Sequence, residues 1–348
     1  MGKPRMTLIT IIAPVLNEID HVEGLIDDIV AQDFDGDIEI FIADGGSTDG
    51  SRDRLTALAY RHGMNLTVID NPRRFVAPGL NACILMAKGD LIVRLDCHSR
   101  YPSDYVRRCV DASDATGAWN VGGIYEPSGR SWFERAVACA LASPFGGVNW
   151  TRQGGSRREV DTVYLGAFRP EVFEKAGLYD ESLVRNQDDE LNLRIRLAGG
   201  KIVFDPLIRS VYTPRGSLRA VWRQYREYGY WKVIVMRKHR RPAGARSFAP
   251  AVFVLVLACL GGLATVSTTA RKLLVACLAV YVFGAGFFAI RATRRSGESA
   301  TVAPFVASVF PAFHVGYGVG MLQAVIGFAF PALTERAKRA EKESDSDR

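Results

Sequence analysis

Acidic side chains recur where apolar runs of this chain give way to turns, and such points are where an α/β sheet offers groups to a ligand. Pro14-Val15-Leu16-Asn17-Glu18 closes one run, and Ala43-Asp44-Gly45-Gly46-Ser47-Thr48-Asp49-Gly50 closes a second. Gly89–His98 sets Asp96 and His98 just past a third, and Asp188-Asp189-Glu190 opens a helical pattern further on. Carboxylates at successive strand ends suit a bound nucleotide and a divalent cation. Asp44 has two readings. Gly45 and Gly46 let the backbone approach a ligand whose base or ribose the carboxylate binds; equally, the segment is a turn capping the next helix through Ser47 or Thr48. Asp96 and His98 flank Cys97, so as alternate residues leaving a strand both can face one cation. Mg2+ or Mn2+ fits Asp96 with water and phosphate oxygens. His98 is then a ligand that favours Mn2+, a neighbour of the ligands, or a phosphate contact. Three consecutive acids at 188–190 exceed what a helix dipole needs, and one of them in a cleft can take the proton of an attacking hydroxyl.

Short Val/Ile/Leu-rich runs at Leu8–Ala13, Ile38–Ala43, Leu66–Ile69 and Leu91–Leu95 predict four strands. Helical patterns separate them at Val22–Ala31, Asp49–Arg61 and Pro78–Lys88. That alternation predicts an α/β domain with a mostly parallel sheet buried on both faces, and Asp44 and Asp96 fall beyond its carboxyl edge. Residues 118–215 are mixed: a strand at Trp119–Ile124, a helix at Trp132–Leu141, a Gly- and Arg-rich loop at 146–158, and a helix closed by Gly199-Gly200. Residues 217–236 predict an amphipathic helix with Trp222, Tyr225 and Tyr228 along one side and Arg219, Arg223 and Arg226 along another, a pairing suited to a membrane interface.

At 348 residues the chain holds one large domain and an appendage. The appendage is apolar: Ser247–Ala270, Leu273–Ile290 and Ser299–Thr334 carry no charged side chain. The first two match a hydrocarbon core of about 30 Å. The third would reach about 54 Å as one straight helix, so Pro304 and Pro311 are expected to divide off an interfacial or re-entrant lead-in, leaving His314–Leu333 to cross. Of the +7 net charge, Arg237, Lys238, Arg240, Arg241 and Arg246 crowd ahead of the first run. They mark a cytoplasmic segment drawn to anionic lipid, with the Arg291/Arg294/Arg295 loop on the same side and an Arg271-Lys272 loop outside. Arg336, Lys338 and Arg339 would then be outside, a mild violation of that rule. No nucleic-acid-binding signature accompanies the charge. Six cysteines without a Cys-x-x-Cys pair indicate reduced, mostly buried thiols rather than a disulfide framework or a zinc site. Leu8–Val15 is short and ends at Pro14-Val15, so it reads as a core strand and not a signal peptide. The expected division is a catalytic domain over 1–215, an interfacial and basic segment over 216–246, a membrane region over 247–334 and a charged, disordered tail over 335–348.

Pro-Val-x-Asn-Glu, Asp-Gly-Gly-Ser-Thr-Asp-Gly, Pro-Gly-Leu-Asn, Asp-x-His and Gln-Asp-Asp-Glu, in this order, resemble the family 2 glycosyltransferases of GT-A fold. More narrowly, Arg94–Pro102, Val184–Gly199 and Gln224–Lys232 are similar to the succinoglycan-type exopolysaccharide glucosyltransferases. The resemblance covers about residues 7–240. It implies a multi-pass protein of the inner (cytoplasmic) membrane with a cytoplasmic catalytic domain. It also implies inverting transfer from a nucleotide-diphospho-sugar, UDP-glucose or similar, to a lipid-linked or cell-envelope polysaccharide acceptor, with Mg2+ or Mn2+. It sets Pro14, Asn17, Glu18, Asp44, Arg73 and Arg74 around the donor nucleotide, and Asp96, with His98 near it, at the metal on the diphosphate. Asp188 becomes the base, with Asp189 as the alternative because Gln187 stands where the family has glutamate. The family's Gln-x-x-Arg-Trp motif is not intact; Gln224, Arg226, Tyr230 and Trp231 take its acceptor and diphosphate contacts.

Two other readings stand beside this one. A polyprenyl-phosphate sugar synthase would use the lipid phosphate itself as acceptor and need no strong base. A membrane transport or assembly protein with a nucleotide-sensing domain would call for charges inside the apolar runs, which hold only His314. A dinucleotide oxidoreductase would want Gly-x-Gly-x-x-Gly where Pro14-Val15-Leu16-Asn17 stands.

Overall fold

The computed structural model describes residues 6–147 and 155–329. The expected charged tail, the end of the third apolar run at 330–334 and part of the Gly/Arg-rich loop at 148–154 lie outside the described residues. The chain divides into two compact units, one of residues 6–128 with 155–213 and the other of residues 129–147 with 214–329.

In the first unit β1 (Leu8–Val15), β2 (Asp37–Asp44), β3 (Leu66–Asp70) and β4 (Leu91–Arg94) alternate with α1 (Ile19–Val30), α2 (Ser51–Arg61) and α3 (Val76–Met86). The strands run parallel in the order β3-β2-β1-β4. Strand periodicity feeds both faces: Ile9, Ile11, Ile40 and Ile42 enter one core, while Ile12, Phe41 and Ala43 enter the other. This explains why these segments read as unbroken apolar runs.

Past β4 the sheet changes character. β5 (Ser99–Arg100), α4 (Tyr105–Thr116) and β6 (Asn120–Pro127) follow, and α5 (Trp132–Ala142) leaves for the second unit. The chain returns as β7 (Arg158–Glu159), β8 (Ala167–Phe168), α6 (Glu171–Lys175), α7 (Gln187–Leu197) and β9 (Ile202–Tyr212). The order continues β4-β8-β6-β9-β5, with β7 also on β9. β8 is antiparallel to both of its neighbours, whereas β6 and β9 are parallel. The sheet is therefore mixed as a whole, and the expected parallel arrangement holds only for its first half.

The second unit joins α5 to α8 (Leu218–His239), α9 (Ala249–Leu263), α10 (Thr268–Arg295) and α11 (Ala303–Ala329). The last three, with the 3-10 turns before α9 and α11, are long and apolar enough to cross a membrane. Three expectations change here. The third apolar run does not break: Pro304 falls in the first turn of α11, where a missing N–H costs nothing, and the helix continues through Pro311. Arg271 and Lys272 are not a loop but belong to the start of α10, capped by Ser267, and Arg271 donates to the Ala264 carbonyl at the end of α9. The aromatic side of α8, expected at the membrane interface, packs on α11, with Tyr225 stacked on Phe313 at 4.1 Å. His314, the one ionisable residue of the apolar runs, is bound between Tyr281 Oη at 2.9 Å and the Phe145 carbonyl at 2.7 Å. A helix-to-helix tie accounts for it.

Glycines set the α8–α11 contact. A Cβ on Gly320 would lie 1.9 Å from the Arg226 carbonyl oxygen, and one on Gly229 would lie 2.0 Å from that of Tyr317. Both obstacles are backbone, which cannot swing aside, so the helices must separate to admit a side chain. Gly320→Leu is expected to destabilise this unit by about 1–3 kcal/mol or more. Thermal melting of the detergent-solubilised protein checks it, Gly286→Leu at an open position serving as control.

Candidate active site

The first two strand-to-helix turns are built as one piece. Asn17 takes a left-handed conformation with φ 54°, and Glu18 as N-cap of α1 supplies no capping side chain of its own. The N–H groups that open α1 are satisfied from the turn after β2 instead. Asn17 N–H donates to Ser47 Oγ at 2.9 Å, Glu18 N–H to Ser51 Oγ at 2.8 Å, and Ile19 N–H to Asp49 Oδ2 at 3.0 Å. In return Thr48 N–H donates to Asn17 Oδ1 at 2.9 Å. Of the two readings of Asp44, the local one is realised, through the Asp44 carboxylate rather than Ser47 or Thr48. Asp44 is buried, accepts from Ser47 N–H at 3.1 Å, and lies 3.4 Å from Arg52, which also holds Asp70 at 2.5 Å. Sequence reasoning missed the bracing role of Ser47, Asp49 and Ser51, although each is a residue type that caps backbone donors.

Arg94, the last residue of β4, organises the next group. It is buried in an otherwise apolar strand and reaches two carboxylates, Asp188 through Nη1 and Asp96 through Nη2 at 3.3 Å. No buried guanidinium persists without such partners, so a lone arginine inside Leu91–Leu95 was the signal that could have found it. Tyr101 holds Asp96 in place by its backbone, accepting from its N–H at 2.7 Å and donating to its carbonyl at 3.2 Å.

The acidic triplet opens α7 as expected, but its members divide the work. Glu190 is fully buried and paired with Arg194, which also caps the Ala176 and Leu178 carbonyls, so it serves the fold. Asp189 accepts from Thr162 Oγ1 at 3.3 Å. Asp188 faces Arg94 with its side chain 36% exposed, which leaves it reachable. Burial raises its carboxyl above the ordinary aspartate value; Arg94 pulls the other way, and the charges of Asp96 and Asp189 reinforce the rise. A carboxyl tuned upward and still accessible is a suitable proton acceptor.

The expectation that Asp96 and His98 face one cation meets a different geometry. β4 ends at Arg94, so residues 96–98 form a turn and strand alternation no longer applies. Asp96 lies with Arg94, while His98 Nε2 lies 3.0 Å from Glu18 Oε1 with His21 alongside. Arg73 is held by Glu181, and Arg74 stands exposed with φ 63° where the turn after β3 passes Gly45. Pro14 sits in β1 opposite Ala43 of β2. Gln224, Arg226, Tyr230 and Trp231 all lie on α8 in the second unit; Gln224 donates to Tyr228 Oη at 3.0 Å and Tyr230 packs against the α8–α9–α11 cluster. Cys83, Cys97, Cys109 and Cys139 are buried free thiols, and burial pushes Cys83 up to about 12, so none is a poised nucleophile.

A mixed sheet of this order, with carboxylates gathered beyond β1, β2 and β4 and at the start of α7, defines a glycosyltransferase of GT-A fold. Residues 10–170 match the family model for glycosyl transferase family 2. The chain is 31% identical over 326 residues to succinoglycan biosynthesis protein ExoA of Rhizobium meliloti, covering 91% of this chain and 95% of that protein. It is 26% identical to a dolichyl N-acetyl-alpha-D-glucosaminyl phosphate 3-beta-D-2,3-diacetamido-2,3-dideoxy-beta-D-glucuronosyltransferase of Methanococcus voltae, over 67% of this chain and 75% of that one. The fold is shared with the mannosyltransferase PcManGT of Pyrobaculum calidifontis, solved with GDP-Man and Mn2+, at TM-score 0.60 and 20% identity over 88% of this chain and 87% of that chain. This chain belongs to glycosyl transferase family 2.

Proposed function

We propose that the protein transfers a sugar, with inversion, from a nucleotide-diphospho-sugar such as UDP-glucose to a lipid-linked saccharide destined for a cell-envelope polysaccharide. In this reading the first unit works on the cytoplasmic side of the inner membrane and α9–α11 anchor it. The lipid-linked acceptor is supported by the names of the two relatives, one in succinoglycan biosynthesis and one acting on a dolichyl phosphate sugar. The observation that carries the reading is Arg94 binding Asp96 and Asp188 together, which joins an oxygen donor for a cation to a tuned base.

Asp96 fits a divalent cation. Its carboxylate is 28% exposed and touches Arg94 only at 3.3 Å, leaving hard oxygen donors of the kind Mg2+ and Mn2+ take. Bound there, the cation would supply positive charge for a departing diphosphate. Pro14, Asn17, Glu18 and the turn held by Asp44 wall the nucleotide end, with Arg73 and Arg74 approaching from the turn after β3. Arg94 fixes Asp188 in direction. Asp188 takes the proton of the acceptor hydroxyl as that oxygen attacks the anomeric carbon, and attack opposite the leaving group inverts configuration. On α8, Gln224, Arg226, Tyr230 and Trp231 contact acceptor and diphosphate.

A thermal-shift titration tests the donor end. UDP with Mn2+ should stabilise the wild-type protein, and neither alone should match the pair. Asp96→Ala should lose the metal-dependent part; equal stabilisation in that variant at the same Mn2+ concentration removes Asp96 from the site.

A further inference from the structure

We propose that Glu18, His21 and His98 form a separate binding site for a borderline divalent cation of the zinc class. Their donor atoms, one carboxylate oxygen and two imidazole nitrogens, lie within 4.8 Å of one another, and all three side chains are partly exposed. The cluster is not an accident of one flexible surface. Glu18 and His21 stand three apart at the start of α1 and so share a face, and Glu-x-x-His is a spacing that turns a carboxylate and an imidazole toward one ion. His98 comes from the turn after β4, reached from a different strand. Its ring meets that of His21 edge-on with centroids 5.2 Å apart, while its Nε2 lies 3.0 Å from Glu18 Oε1.

The backbone beneath two of the ligands is already fixed. Ser51 and Asp49 hold the Glu18 and Ile19 N–H groups, and Tyr101 holds the backbone of Asp96, two residues before His98. Small side-chain rotations therefore suffice to bring three donors to about 2.0–2.2 Å from one centre. Donor chemistry sets the class of ion. Two imidazoles with one carboxylate suit Zn2+ and its neighbours Co2+ and Ni2+, whereas Mg2+ takes oxygen. Three protein ligands leave a position open for water or an anion, as in exchangeable rather than closed zinc sites. An ion there would lash the start of α1 to the loop that carries Asp96. The site stands on these three side chains and does not depend on the transfer reaction proposed above.

Full-length protein in detergent, stripped with chelator, is titrated with Co2+ by visible absorption and with Zn2+ by calorimetry. We expect one site whose Co2+ spectrum shows mixed nitrogen and oxygen coordination. His21→Ala and the gentler His21→Asn should each weaken Zn2+ binding at least about tenfold while melting like the wild type without metal. Asp96→Asn should change Zn2+ affinity less than about twofold. Absence of binding overturns the proposal, as does wild-type affinity in both His21 variants. Loss of binding in Asp96→Asn but not in the His21 variants also overturns it and returns the ion to the donor diphosphate.

Discussion

Asp188→Asn should cut turnover by about 10²–10⁴-fold while nucleotide affinity stays nearly unchanged and the fold is as stable or more so. Asparagine keeps the size and most of the hydrogen bonding of Asp188 but cannot take a proton. The donor end rests on Asp96 and the two braced turns, which the substitution leaves in place. The stability part follows from the direction of the Asp188 shift. A carboxyl whose folded pKa lies above its unfolded value favours folding only while protonated; that contribution is full below the unfolded value and is lost as pH rises through the folded one. Ionised Asp188 therefore opposes folding at neutral pH, and the neutral asparagine removes the opposition. Melting curves should show the variant gaining on the wild type at pH 7 and losing that advantage in acid. Asp189→Asn should be milder, since its side chain points about 100° away around the helix and already accepts from Thr162. Near wild-type transfer by Asp188→Asn with a dead Asp189→Asn would move the base to Asp189. Activity in both would mean that the acceptor is already an anion, and a lipid phosphate would take the place of the hydroxyl.

The parts of this architecture that were legible in the sequence are those in which one physical pattern fills a whole element. β1, β2 and β4 are buried on both faces, so their apolar runs mark them, and Asp44 and Asp96 follow directly at their ends. The mixed half was not legible because β5, β7 and β8 are two residues long and carry no periodicity. β8 exists because β4 and β6 need a partner between them, a demand no local residue announces. Pro304 and Pro311 misled for a related reason. In α11 the neighbouring helices and the position of Pro304 absorb what proline removes, as packed apolar helices allow. In the site, the acids were visible as types, but their division of labour was not. Only packing shows that Glu190 is spent on Arg194 and that His98 turns from Asp96 toward Glu18.

Arg94→Leu should lower stability by about 3 kcal/mol and move the acid limb of the activity profile to higher pH. Removing one partner of a buried ion pair costs about 3–5 kcal/mol, and the lower end applies because Asp96 and Asp188 keep 28% and 36% of their side-chain exposure. Two carboxylates would then face each other without the cation between them. Arg94 is the group that lowers the Asp188 carboxyl, so its loss lifts that carboxyl further above the ordinary aspartate value. The base acts only when ionised; kcat/KM falls as pH drops through its pKa, and a higher pKa carries that fall toward neutrality. The stability deficit has the matching sign. It should be largest at neutral pH, where both acids are charged, and shrink in acid as protonation relieves their repulsion. Arg94→Lys separates charge from shape. An ammonium restores the positive charge but not the two-armed fork that reaches Asp96 and Asp188 at once, so the pH limb should return more fully than the melting temperature. A profile in Arg94→Leu that keeps the wild-type acid limb would show that the titrating base is some other group, and would detach Asp188 from the chemistry.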